Sequence, residues 1–429
     1  MLGFGTTVLV GLGVAIGSGI LRTPPLVAQQ LGTGWAVLLA WALGGLAIFV
    51  SSLVMAELAT RFPRSGGEYA WLREAYGPFV AFFFGWAYTI FMVGGGAATI
   101  AAAFGDAAHG LFGGLPAKGW AGLAVVTVVG ANMAGLKTGA ALQNVLTVFK
   151  VLIVLGIVGA GVLLTDSPPP VDSSAPGLPS AWIAAVLPVI WAYAGSTDAV
   201  KLGGEIENPQ RAIPRALFAG AAALTLIYVL VNAGLLAVLG VDGLAASTLP
   251  MNVVAERAFG PTGRGLVAAG SAIVFLGGLS STVLATVRVA WALGQDGHGF
   301  GVLGKMSARQ APVGALAVVG FIALGFAVWK DFESILGIYF LAGSILFGLV
   351  YASLLVFRRR DRTSGTKPEG IFRCPAPTVL VGLMLLLQGG MAVGVVMNSP
   401  WDAVATFGLL GVVALAWRVS GGRRQAASR

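Results

Sequence analysis

Between Gly34 and Thr60 the chain runs 27 residues with a single ionisable side chain, Glu57. Coiled as an α-helix, that stretch is about 40 Å long, more than the roughly 30 Å hydrocarbon core of a bilayer. The pattern recurs along the sequence. Apolar runs occupy Gly3–Leu26, Gly34–Thr60, Pro78–Phe104, Gly119–Gly135, Gly139–Leu164, Pro179–Leu202, Pro214–Leu239, Gly263–Leu293, Val313–Val328, Ile335–Phe357, Pro377–Met397 and Val404–Val419. Only 10% of the 429 residues are charged and 57% are hydrophobic, whereas a soluble domain carries about 25% charge. Too few charges are present to solvate a globular surface. The sequence predicts an all-α integral membrane protein of about 12 transmembrane helices. A transmembrane β-barrel would show alternating segments of about ten residues, and none is seen.

The charges that remain set the orientation. With both termini placed in the cytoplasm, 20 Lys and Arg fall inside and five outside, namely Arg22, Lys118, Arg257, Arg264 and Lys330, with Lys150 left within a span. That asymmetry follows the positive-inside rule and accounts for the net charge of +9 without nucleic acid. Met1 to Gly5 has no basic segment, so no cleaved signal peptide is expected. A single cysteine, Cys374, excludes an internal disulfide and a thiolate metal cluster. His109 and His298 lie far apart and read as solvated loop residues. No metal site and no cofactor is expected. Nor is an enzyme, since no nucleophile–base pair or phosphate loop is apparent.

The longest linkers are Thr165–Leu178, rich in Pro and Ser, and the basic Arg358–Pro375. They divide the chain into residues 1–165 with five spans, 179–357 with five more, 376–420 with two, and a basic tail at 421–429. The interrupted spans are the first of each five, which is the pattern of an inverted-repeat transporter with its site near the bilayer midplane.

The first interruption is Ile16-Gly17-Ser18-Gly19-Ile20. Each glycine costs about 1 kcal/mol relative to alanine inside a helix. A break here frees the N–H groups of Ser18, Gly19 and Ile20 to meet an anion at a half-helix start, and the carbonyls near Ala15, Ile16 and Gly17 to meet an ammonium. An α-amino acid carries both charges. The alternative is a small-residue face for close helix packing. The second interruption is Ala194-Gly195-Ser196-Thr197-Asp198. Trp191 sits one turn before it, placed either to cover a ligand, with Ala192 beside it, or to face lipid or core.

Lys150 lies about eleven residues into its span, or roughly 16 Å at 1.5 Å per residue. An intramembrane lysine costs about 2.5–3.5 kcal/mol on insertion scales and is functional by default, unless it snorkels to the interface. Asp198 and Lys201, three apart on a helical face, read as an ion pair; the alternative is that Asp198 faces the pocket and takes protons or a cation. Glu57, Arg61 and Glu68 read as contacts at the cytoplasmic edge. Glu205 and Glu207 read as solvated or paired with Arg211 or Arg215.

Several segments together resemble one family. Ile16-Gly17-Ser18-Gly19-Ile20 followed by Arg22-Thr23-Pro24 is similar to the first-helix motif of the amino acid–polyamine–organocation superfamily. Ala56–Tyr69 resembles its first cytoplasmic loop, Gly204–Leu217 its loop after helix six, and Arg288 with Gln295-Asp296-Gly297 the end of its helix eight. The L-type amino acid transporter and bacterial serine/threonine exchanger branch is the nearest in pattern. The resemblance implies a LeuT-like five-plus-five repeat with helices one and six broken, in a bacterial inner membrane. It implies a substrate carboxylate at Ser18 and Gly19, and an amino group at carbonyls near Ile16, Trp191 and Ala194. It also implies that Lys150, with Ser281 and Thr282, occupies the place of a sodium ion. Trp191 stands where this branch usually has a phenylalanine, and Ala194 and Ser196 where it often has glycine and tryptophan. The expected function is sodium-independent amino acid transport by exchange or proton-linked uptake. The alternatives are an amino-acid-binding membrane sensor, or a carrier of polyamines or other organic cations. The expected partners are the amino acid and the lipid bilayer. An accessory subunit held by a disulfide is not expected, because Cys374 falls on the cytoplasmic side.

Overall fold

The structure, a computed structural model, describes residues 1–164, 179–329, 332–365 and 368–427. The linker 165–178, Lys330, Lys367 and Arg429 lie outside the described residues. The first apolar run becomes three helices, α1 (Phe4–Ala15), α2 (Ser18–Arg22) and α3 (Pro24–Leu31). The second is α4 (Gly34–Arg61), followed by a short α5 (Glu68–Tyr76). The third is α6 (Pro78–Ala87), a π-helical segment Tyr88–Gly95, and α7 (Gly96–Phe112). Then come α8 (Ala117–Met133), α9 (Leu136–Leu164) and α10 (Pro179–Tyr193). The chain continues through α11 (Pro209–Ala246), α12 (Pro250–Phe259), α13 (Pro261–Gln295), α14 (Val313–Trp329), α15 (Phe332–Ser364), α16 (Pro377–Asn398) and α17 (Pro400–Ala427).

All twelve apolar runs therefore fall largely on helices. Among the described residues nine helices are long and apolar enough to cross a membrane, with Ala184–Tyr193 and Val313–Ala327 as shorter apolar helices. No strand occurs among the described residues, only isolated bridges at Leu2–Ile206 and Ser65–Leu202.

The α1 helix occupies the middle of the bundle. It packs against α9, α11 and α13, and Val10 to Ile16 are all buried. By contrast α16 and α17 lie at the periphery, where Leu386 and Trp401 are 75% and 83% exposed; such side chains suit lipid rather than water.

Three features depart from the linear reading: the π segment, Gly240 and His298. The sixth run is interrupted near Gly195, as expected. It stops at Tyr193 and resumes as 3₁₀ turns at Asp198–Lys201 and Gly203–Glu205, because Gly195 takes a φ of +84°, which glycine alone adopts freely. The third run contains the π segment, whose wider turns are often found at functional sites. Gly240, at φ +68°, kinks α11. His298 is not a solvated loop residue: its Nδ1 lies 2.9 Å from the Tyr69 hydroxyl and its ring packs on Trp417 and Phe82. His109, in the last turn of α7, is exposed, with Nδ1 2.8 Å from the Leu115 carbonyl oxygen.

Candidate functional site

The two interruptions meet. α1 ends at Ala15 with Ile16 extended (φ −75°, ψ 94°), and Ser18 opens α2. Thr23 keeps right-handed helical angles, so α2 passes almost directly into α3. Across from this break, Ala192 near the end of α10 lies so close that a methyl group at Gly19 would sit 2.5 Å from its Cα. Gly19 is thus required by backbone proximity. A cavity lies between the breaks, lined by Val14, Ala15, Gly17, Gly19, Trp191, Ala194, Gly195 and Asp198. Tyr88 and Met92 from the π segment, Gly96 and Ile100 from α7, Thr282 and Thr286 from α13, and Tyr339 from α15 complete its wall. Trp191 is buried, with Tyr339 and Phe340 edge-on at 4.9 and 5.8 Å between centroids.

Residues from distant helices serve the carbonyls freed where α1 stops. Lys150, fully buried on α9, donates through Nζ to Gly13 O at 2.6 Å and Ile16 O at 2.9 Å. Snorkelling is excluded by this burial. The Tyr228 hydroxyl on α11 lies 2.9 Å from Ala15 O and 2.8 Å from Ala192 O. Its one proton is therefore shared between the ends of both broken helices. Sequence reasoning missed Tyr228; a tyrosine within an apolar run carries no local sign of where its hydroxyl points.

The other expected site residues are distributed as follows. Ile16, Ile20 and Ala192 are fully buried behind the cavity wall. Ser196 lines a neighbouring cavity, and its Oγ is buried without a protein partner. Ser281 stands beside Gly13, but its hydroxyl donates to Gly277 O at 2.7 Å on its own helix. Thr282 lines the cavity.

Asp198 belongs to a larger group than a pair. Lys201 Nζ donates to Asp198 Oδ1 and, at 2.8 Å, to Glu68 Oε1 on α5, and it sits 5.1 Å from the centroid of the Tyr88 ring. Glu68 is therefore not a solvated edge residue; it is fully buried against Lys201. Glu205 likewise pairs with Arg288 at 3.1 Å rather than with Arg211 or Arg215. Glu57 does hold Arg61, and it also accepts from Arg358 at 2.6 Å and from the Cys374 amide at 2.8 Å. The end of the bundle where these arginines gather is closed: Leu2 N donates to Glu205 O, Gly66 N to Lys201 O, and Glu207 N to Leu2 O. At the opposite end Arg22 pairs with Asp106 at 3.1 Å.

A family profile described as amino acid permease matches residues 2–415. The chain belongs to the amino acid permease family. Its fold is that family's LeuT-type repeat, and α1–α2 and α10 with its following turns are the two broken helices. The b(0,+)-type amino acid transporter 1 of Homo sapiens is 28% identical over 414 residues, covering 94% of this chain and 84% of that protein. The serine/threonine exchanger SteT of Bacillus subtilis (strain 168) is 32% identical over 295 residues, 66% of each. An uncharacterized transporter, Rv1999c of Mycobacterium tuberculosis (strain ATCC 25618 / H37Rv), is 29% identical over 356 residues, 82% of this chain and 79% of that one. This permease is a multi-pass membrane transporter and not an enzyme.

Proposed function

We propose that this permease is a sodium-independent secondary transporter of amino acids, working by alternating access through exchange or proton-linked uptake. The observation that carries the reading is the meeting of two interrupted helices at one cavity, with Gly19 pressed against Ala192. An amino acid carboxylate fits the first-turn N–H groups of Ser18, Gly19 and Ile20, where the helix dipole favours negative charge. For the ammonium, with Ala15 O engaged by Tyr228 and Ile16 O by Lys150, the cavity wall offers the backbone of Val14 and Gly17 on one side and of Ala194 on the other. Side chains at Trp191, Met92 and Tyr339 then meet the R group. The Lys150 amino group donates to the carbonyl end of α1, in the place where a sodium ion would sit, which supports independence from sodium. The first five spans (1–165) and second five (179–357) form the two repeats, with 376–420 appended and the arginine-rich end in the cytoplasm. That orientation rests on the loop charges.

Counterflow in proteoliposomes tests the reading. Liposomes loaded with each amino acid in turn should accelerate entry of a labelled one, equally in sodium and in choline medium. No acceleration by any amino acid refutes transport; a steep loss in choline refutes only sodium independence.

A further inference from the structure

Beneath the cavity floor two carboxylates share one ammonium. Lys201 and Glu68 have fully buried side chains, and that of Asp198 is 8% exposed. With all three ionised the group carries a net charge of −1. Glu68 Oε2 is buried with no hydrogen-bond partner. A surplus charge and an unpaired carboxylate oxygen are each costly away from water. Adding one proton removes the surplus.

The surroundings offer no other remedy. The charges acting on Glu68 are those of Lys201 and Asp198. Three tyrosines face the group, Tyr88 from the π segment and Tyr339 and Tyr351 from α15. The next charged pair along the chain, Glu205 with Arg288, is closed on itself. Burial pushes the Glu68 carboxyl up from the ordinary carboxylate range, against the attraction of Lys201. Size selects the ligand: Asp198 borders the cavity, but Glu68 lies behind Lys201, where an organic cation does not fit and a proton does.

We propose that Asp198, Lys201 and Glu68 form the binding site of a proton that travels with the amino acid. This rests on the transport reading above and adds the coupling ion. The proton comes from the outer solution through the cavity at Asp198 and neutralises the surplus carboxylate of the Asp198–Glu68 pair. The same cluster clamps the closed end. Gly66 N donates to Lys201 O at 2.9 Å, and a methyl group at Gly67 would sit 3.1 Å from Lys201 Cα, so the loop before α5 lies directly on the 3₁₀ turn. Opening that end parts Glu68 from Lys201. Parting an ionised pair strips both charges; parting a protonated one is easier. Once apart, Glu68 meets water on the arginine-rich side and releases the proton there.

The test uses the full-length protein in empty liposomes containing trapped pyranine, with potassium and valinomycin holding the potential at zero. An equimolar, tritium-labelled mixture of the twenty protein amino acids is added outside at acid pH. The readout is the ratio of protons to amino acids entering, which is independent of rate. Wild type should give a ratio near one, and Glu68→Gln and Asp198→Asn should each give a ratio near zero. Glu68→Gln tests the buried carboxylate, and Asp198→Asn keeps a neutral Glu68–Lys201 pair should the first variant not fold. A wild-type ratio near zero, or no net uptake into the empty liposomes, with counterflow intact overturns the proton site and leaves the transport reading standing. Wild-type ratios in both variants also overturn it. Absence of counterflow in wild type overturns both readings.

Discussion

Tyr228→Phe removes one oxygen and nothing else. The ring packs edge-on to Trp41 at 5.4 Å and tilted to Tyr193 at 4.9 Å, and phenylalanine keeps those contacts. What is lost is the proton shared by Ala15 O and Ala192 O, the only side-chain link seen between the ends of the two broken helices among the described residues. A buried acceptor left unmade costs about 1–3 kcal/mol. Interhelical hydrogen bonds measured in membrane proteins average about 0.6 and reach about 1.7 kcal/mol, because the unfolded chain also finds partners. Two carbonyls lose the donor here, so the upper part of that range applies, about 1.5 kcal/mol. If the loss falls on the arrangement that binds substrate, affinity drops about tenfold, since 1.4 kcal/mol is a factor of ten. Tyr193→Phe is the control. Its hydroxyl donates to Trp41 O at 2.9 Å and touches neither break, so it should lower thermal stability without changing affinity. The assay is amino acid binding to purified protein, with thermal unfolding alongside. Wild-type affinity in Tyr228→Phe, or an equal affinity loss in the control, refutes the claim that this hydroxyl ties the site together.

Three further outcomes are expected. Gly19→Leu drives a side chain into the Ala192 backbone, 2.5 Å from where its Cβ must stand; counterflow should vanish while size-exclusion chromatography still shows inserted, monodisperse protein, and retained uptake places the site elsewhere. Lys150→Ala takes the donor from Gly13 O and Ile16 O, two charge-assisted bonds of about 1.5–3 kcal/mol each, but also relieves an insertion cost of about 2.5–3.5 kcal/mol. Stability should therefore change by only about 0–3 kcal/mol while the counterflow rate falls several-fold, and an unchanged rate rules out the ion-substitute role. Burial, with Glu57 nearby, pushes the Cys374 thiol up to about 11, and only the thiolate reacts with maleimides. Labelling of the folded protein should be negligible near neutral pH, rise as the pH approaches that value, and become rapid on denaturation; rapid labelling of folded protein at neutral pH contradicts the buried placement.

What the sequence disclosed depended on range. Apolar length is local, so the twelve runs were legible residue by residue. So were the breaks, because Gly17 and Gly19 flanking Ser18, and Gly195 before Ser196, are unfavourable choices for an uninterrupted helix. Lys150 announced itself through the cost of a charge at depth. Pairings across the bundle were not legible. Glu68 and Lys201 are 133 residues apart, and in sequence Glu68 looks like any acidic residue at a membrane edge. Tyr228 reaches Ala15 across 213 residues. The π segment was hidden too, since Tyr88–Gly95 has the composition of an ordinary span and its widened turn is a matter of packing. Asp198 and Lys201 were legible as a pair through their spacing of three, but the third member, which turns a neutral pair into a negative group, was not.

The amino end bears on how this protein should be handled. Leu2 is hydrogen-bonded through both its amide and its carbonyl to the strip Glu205–Glu207, so the first residues are sewn into the seam that closes that end of the bundle. An affinity handle or fluorescent fusion attached at Met1 begins one residue from the stitching. Placed after α17, on a helix at the rim of the bundle, the same handle hangs clear of that seam.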